Sequence, residues 1–158
     1  MKRPWNIIDS PVYSLATYHN GTVNMNICTY VTAVSMTPKR YAIAVYHNTK
    51  TLSNIQQSDT AVLQFLQNDQ YKLVNVLGKK SGNKYDKQSY LTKKNILTTW
   101  NENIILQGLA AQVQLQKISW QNAGDHDLYL FDAVKYKTNE NACPLMFQEL
   151  INLKIILG

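Results

Sequence analysis

The stretch "VYSLATYHNGTVNMNICTYVTAVS", Val12 to Ser35, decides the reading of the fold. Asn20-Gly21 sits inside it, and Asn-Gly favours the tight turn whose twist matches two paired strands. Before the turn, "VYSLATY" alternates and is rich in β-formers. After it, "TVNMNICTYVTAVS" is long and rich in β-branched residues. The pattern predicts an antiparallel hairpin. Met36-Thr37-Pro38 then breaks the chain, and "YAIAVYH" predicts a short buried strand.

Further along, Thr51 to Gln57 predicts a short helix with Leu52 and Ile55 one turn apart. "TAVLQFL" predicts another strand. "DQYKLVNVLG" fits a helix capped by Asp69, with Leu73, Val74 and Leu77 on one face and Gly78 as its stop. "KKSGNKYDKQSYLTKKN" is polar with little periodicity and reads as an exposed loop. "AQVQLQKI" alternates Val113, Leu115 and Ile118 with Gln112, Gln114 and Gln116, although Lys117 slips the phase. Asn122 to Asp125 reads as a turn and "HDLYLFDAVKY" as a strand. The tail "PLMFQELINLKIILG" has mixed periodicity and receives no assignment. Strands dominate, with two or three short helices and no repeated βαβ unit. The expected fold is mainly β: an antiparallel barrel with short helical insertions, one domain over residues 1–158.

Bulk properties narrow the function. The chain of 158 residues is 45% hydrophobic and 16% charged, which suits a folded core rather than disorder. No apolar run approaches the roughly 20 residues that span a bilayer, so no membrane partner is expected. Pro4, Asn6 and Asp9 interrupt any signal-peptide core near the basic N-terminus. Cys28 and Cys143 form no CxxC or zinc pattern, and a reduced, cytoplasmic setting is the simplest reading. The net charge of +6 favours anionic partners such as nucleotides or phosphate-bearing cofactors. Much of that charge lies in the lysine tract, which reads as a solvated surface. A nucleic-acid binder is disfavoured, because the aromatic residues do not recur on one strand face.

Standard nucleotide loops are missing: neither GxGxxG nor GxxxxGK[ST] occurs. GxSxG and HExxH are absent as well. His19, His47 and His126 are too scattered for a zinc site. Asp125-His126-Asp127 cannot all meet one ion, because adjacent strand side chains point to opposite faces. No metal site is expected. If the protein is an enzyme, a bound cofactor carries the chemistry.

Three features carry two readings each. In "HNTKT", His47 to Thr51, Thr51 fits a plain helix N-cap. The same helix end, with Asn48, Thr49 and Lys50, also fits an anion cradle. Asn24 and Asn26 share one face by two-residue periodicity, which is either solvated or matched to a ligand edge. His126 is either a strand-start histidine or a ligand-orienting group.

Taken in order, "NMNICTYVTAVSMTPKRYAIAV" (Asn24 to Val45), "NTKTLSNI" (Asn48 to Ile55) and "GDHDLYLFDAV" (Gly124 to Val134) resemble the flavin reductase-like family of FMN-binding split β-barrels. The resemblance covers roughly Tyr13 to Tyr136. It implies a Greek-key antiparallel split barrel that forms a homodimer, with FMN near the interface. It implies hydride transfer from NADH or NADPH to flavin, which then serves a partner monooxygenase, ferric iron or another acceptor. Other members of that family bind flavin without a defined reductase role. By position, Asn24, Asn26, Cys28 and Thr29 correspond to residues lining the isoalloxazine ring, where backbone N–H groups can meet the flavin. Asn48, Thr49, Lys50 and Thr51 correspond to the phosphate-binding segment, and His126 to a histidine near flavin and nicotinamide. Two positions depart from the pattern. Thr49 stands where many relatives have a basic residue, and Cys28 stands where a small hydroxyl is common.

Overall fold

The computed structural model describes residues 3–157; Met1, Lys2 and Gly158, which the expected 1–158 domain includes, lie outside the described residues. The predicted hairpin forms as β1 (Tyr13–His19) and β2 (Thr22–Met25). Asn20 and Gly21 take φ values of 50° and 74°, and His19 faces Thr22 across the turn. This is the two-residue turn that Asn-Gly favours.

The long strand expected after the turn is broken. It ends at Met25, and β3 (Val31–Met36) starts after five intervening residues. β3 turns back at Thr37-Pro38 into β4 (Lys39–Tyr46). Helix α1 (Lys50–Gln57) leads to β5 (Thr60–Phe65). The helix expected next is mostly a 3-10 segment, Asn68–Leu73, capped by Gln67 rather than Asp69 and followed by one turn, α2 (Val74–Leu77). The expected loop contains α3 (Lys87–Lys93), capped by Asp86, whose side chain accepts from the Ser89 N–H. A small hairpin, β6 (Leu97–Trp100) and β7 (Asn103–Leu106), precedes the long strands β8 (Ala111–Asn122) and β9 (His126–Thr138). The tail forms α4 (Phe147–Asn152).

Seven strands pair antiparallel in the order β2-β1-β5-β8-β9-β4-β3. The β8–β9 register shifts between Gln114 and Leu115 and again between Lys117 and Ser119. The second shift is the phase slip visible at Lys117, because an extra residue moves the following side chains to the other face.

The break between β2 and β3 closes the sheet into a barrel. Cys28 and Tyr13 exchange two backbone bonds of 2.8 and 2.9 Å, and Tyr30 accepts from the Ala44 N–H at 3.0 Å. The segment from Asn26 to Tyr30 thus joins β1 to β4. Within it, the Asn26 side chain takes the place of a main-chain acceptor: Oδ1 receives the Leu15 N–H at 2.8 Å. Asn24 and Asn26 therefore do not share a face as strand periodicity predicts, because the strand ends between them.

Alternation along β1 and β5 separates two cores. Tyr13, Leu15, Ala61 and Leu63 point into the barrel with Ile43, Val45, Tyr129 and Phe131, and α1 plugs this interior with Leu52 and Ile55. Val12, Ala16 and Val62 point outward, under Leu77, Leu91, Ile105 and Leu150. Two polar groups cross this outer layer at a satisfied position. Buried Gln64 donates to Ser14 Oγ at 3.2 Å and accepts from the Leu106 N–H at 2.8 Å, which ties the small hairpin to the sheet.

Candidate functional site

Strand β2 and the start of α1 define one side of a surface groove. Asn48 takes a left-handed φ of 60°, a conformation that asparagine tolerates. Thr49, not Thr51, is the helix N-cap. Its hydroxyl donates to the Tyr46 carbonyl at 2.8 Å and accepts from the Leu52 N–H at 3.2 Å. The expectation for Thr51 fails because the helix begins one residue earlier, so Thr51 lies inside the first turn. There it is buried, and its hydroxyl accepts from Asn24 Nδ2 at 3.2 Å. The first-turn N–H groups of Lys50 and Thr51 have no acceptor within the helix, and they face outward with the positive end of its dipole.

The lysine tract that reads as solvated packs onto this helix start. A Cβ on Gly82 would lie 2.3 Å from Asn24 Oδ1 and 2.9 Å from Lys50 Cβ, so only glycine allows the approach. Asn83 donates to the Asn48 carbonyl at 3.2 Å. Gln88 Oε1 accepts from the Val23 N–H at 2.9 Å and docks α3 against β2. Together these segments enclose a groove of about 720 Å³ lined by Asn24, Lys50, Gly82, Lys84, Lys87 and Lys93, among others. Lys87 is nearly buried and donates to the Leu77 carbonyl at 2.7 Å; desolvation lowers its pKa to about 8. Lys80 sits over the Tyr85 ring at 4.2 Å. Lys84, Gly82 and Asn83 are functional candidates that sequence reading missed. The available signal was Asp86 spaced three before Ser89, a helix start within the supposed loop.

A second, separate pocket is built by the main chain and by aromatic rings. Cys28, Thr29, Tyr30, Ala44, Tyr46 and His126 line a shallow pocket of about 150 Å³ with Ile27. The N–H groups of Thr29 and Tyr30 have no acceptor among the described residues. Burial pushes the Cys28 thiol up to about 12, so it is a neutral wall of the pocket and not a nucleophile. His126 pairs with Tyr46 across β9 and β4, and its ring lies 5.1 Å from Tyr46 and 5.2 Å from Tyr30. Its Nδ1 lies 2.6 Å from Asp125 Oδ1. That hydrogen bond holds the Asp125 carboxyl below its ordinary range, and His126 Nε2 has no hydrogen-bond partner among the described residues.

Asp127 is turned away from this pair. It is buried, and its carboxylate lies 2.9 Å from His47 Nε2. Strand alternation thus separates Asp127 from the bonded pair Asp125 and His126. Asn26 is committed to the barrel seam. Asn24, Lys50 and Thr51 gather at the groove, Cys28, Thr29 and His126 gather at the separate small pocket, and Asn48 and Thr49 form the turn between β4 and α1.

The family model described as "Flavin reductase like domain" matches residues 5–150. No curated protein matches the chain. Among solved structures, an FMN-binding protein from Thermus thermophilus with bound 1-cyclohex-2-enone is 20% identical; the match covers 89% of this chain and 77% of that one, with a TM-score of 0.77. Flavin reductase PheA2 is 23% identical over 89% of this chain and 86% of its own, with a TM-score of 0.74. The NADH:FAD oxidoreductase SgcE6 of Streptomyces globisporus C-1027, in complex with NAD and FAD fragments, is 15% identical over 92% and 84%, with a TM-score of 0.78. At these identities the likeness is one of fold.

Proposed function

The chain belongs to the flavin reductase-like family, and from that premise we propose that residues 1–158 act as one domain that binds FMN and reduces it with NADH or NADPH. The observation that supports this best is the docking of Gly82 against Asn24 and Lys50, which walls a cationic groove around an open helix start. An anion there meets the N–H groups of Lys50 and Thr51, the Lys50 ammonium and the positive end of α1. Thr51 serves this end by holding Asn24, and Thr49 by capping the turn.

At the separate small pocket, the N–H groups of Thr29 and Tyr30 are free to meet ring carbonyls, and Cys28 supplies a neutral surface. The bound flavin supplies the chemistry by accepting a hydride from nicotinamide at N5. His126 orients that edge: Asp125 and the two tyrosine rings fix its plane, and Nε2 is left to hydrogen-bond the flavin or the nicotinamide. No residue needs to move a proton for the hydride itself to pass. The work of the protein is to hold, align and exclude water.

The size of the ring pocket supports a homodimer. A volume of about 150 Å³ is well below the roughly 300 Å³ at which ligand pockets begin, and in this reading a second copy covers the ring. Val34, Met36, Ile118, Trp120, Val134 and Tyr136 are exposed on β3, β8 and β9 and provide apolar surface for it. The reduced flavin then passes to an acceptor such as a monooxygenase. No helix among the described residues is long and apolar enough to cross a membrane, and both cysteines are free, which supports a cytoplasmic setting.

The test is a thermal-shift titration with FMN, followed by anaerobic addition of NADH or NADPH to the complex. A raised melting temperature and bleaching of the flavin's visible absorption are expected. FMN binding without bleaching leaves a flavin carrier, and no FMN binding ends both readings.

A further inference from the structure

Thr51 and Asn54 stand three residues apart on α1, and Thr17 and Asn24 face each other across β1 and β2. The two pairs interlock. Asn24 Nδ2 donates to Thr51 Oγ1 at 3.2 Å, and Asn54 Nδ2 donates to Thr17 Oγ1 at 3.1 Å. The Thr17 hydroxyl donates in turn to the Asn24 carbonyl at 3.4 Å. None of the four residues is more than 6% exposed.

An apolar contact alone lets a helix slide or turn over its sheet at modest loss. Two buried polar pairs at fixed spacing do not, because a shift leaves donors unpaired at about 1–3 kcal/mol each. The lock therefore sets both the rotation and the axial position of α1. Asn54 is an odd choice for stability alone. Its Oδ1 is buried with no partner, the only such side-chain atom among the described residues. Leucine, with the same branching, would occupy this buried position without an orphaned acceptor.

We propose that Asn54 is a positioning residue: through Thr17 and Asn24 it fixes the register of α1, and with it the place of Lys50 and the first-turn N–H groups that receive the phosphate. This rests on the flavin reading above. Asn54 touches no ligand itself and lies one turn below the helix start. Its effect reaches the site as placement of donors, so it acts on the phosphate and not on the ring.

The experiment titrates wild type, Asn54→Leu, Thr17→Val and the double variant with FMN and with riboflavin, which lacks the phosphate, and records a melting curve for each. Either single variant should raise the FMN Kd roughly tenfold, the scale at which orienting partners act at other sites. The double variant should lose no more than the worse single, because both cut one lock. Riboflavin Kd should stay within about twofold. Asn54→Leu should melt at or above wild type. Equal losses for FMN and riboflavin, or unchanged FMN affinity in a folded variant, overturn the proposal while the flavin reading stands. A wild-type protein that binds neither flavin overturns both. If Thr17→Val does not fold, Asn54→Leu alone decides between these outcomes.

Discussion

The lysine-lined groove and the small aromatic pocket are made by different means. Around α1, side chains do the holding: Asn24, Thr51, Asn83 and Gln88 each make a bond that places a neighbour. Around Cys28 to Tyr30, the main chain presents the hydrogen-bonding groups, and the side chains form walls. The first depends on residue identity at single positions. The second depends on where the strand breaks and tolerates side-chain change as long as the break is kept. The same contrast separates their chemistry, since the first is cationic and the second is neutral and aromatic.

The largest effect is expected at Gly82. In Gly82→Val the new Cβ meets Asn24 Oδ1, which is buried and tied to Thr51 and so has little room to retreat. FMN affinity should fall about a hundredfold, near 3 kcal/mol, in a fluorescence titration. Wild-type affinity would mean that the loop does not dock where it binds ligand.

A crossed pair of variants tests whether the groove and the pocket are separable. Lys50→Ala should weaken FMN about tenfold, the scale of a lost charge-assisted bond, and leave riboflavin unchanged. His126→Ala should leave FMN affinity near wild type and lower kcat/KM for the nicotinamide several-fold (roughly 1 kcal/mol). If both variants move the same quantity, the division into a holding groove and an aligning pocket is lost.

The smallest effect is a pH trend. Burial lowers Lys87 from 10.5 to about 8. Below pH 8 the lysine is charged in both states and its burial cost is present in full. Between pH 8 and 10.5 the unfolded chain binds more protons than the folded one, so stability contributed at this site rises with pH. In thermal melts, the difference between wild type and Lys87→Met should therefore move in favour of wild type as pH rises through that window. A constant difference would show that the ammonium is solvated.

Legibility in the sequence follows the same contrast. The hairpin at Asn20-Gly21, the strands either side and the α1 start are local patterns, and the structure has them. The split of the strand at Met25 is not local: Asn26 leaves the ladder because its side chain can replace a carbonyl opposite Leu15, a partner eleven residues away. The lysine tract misleads for a related reason. Its charge pattern is that of a surface, and its docking depends on one glycine opposite residues from two other elements. The α1 cap lies two residues before the expected Thr51 because Thr49 and Thr51 are chemically equivalent caps, and only the backbone entry at Asn48 chooses between them. The pocket residues Cys28, Thr29 and His126 do come together, since Tyr46 and His126 are cross-strand partners.

The seam at Asn26 to Tyr30 has an evolutionary consequence. Its pairing with Tyr13 and Ala44 closes the barrel, and its free N–H groups face the pocket. Selection for a folded barrel and selection for a ligand therefore act on the same five residues. A descendant that abandoned its ligand would still be obliged to keep the seam. Persistence of this segment among distant relatives is accordingly a mark of barrel closure, and loss of activity in a lineage should be sought first at Lys50 and Gly82.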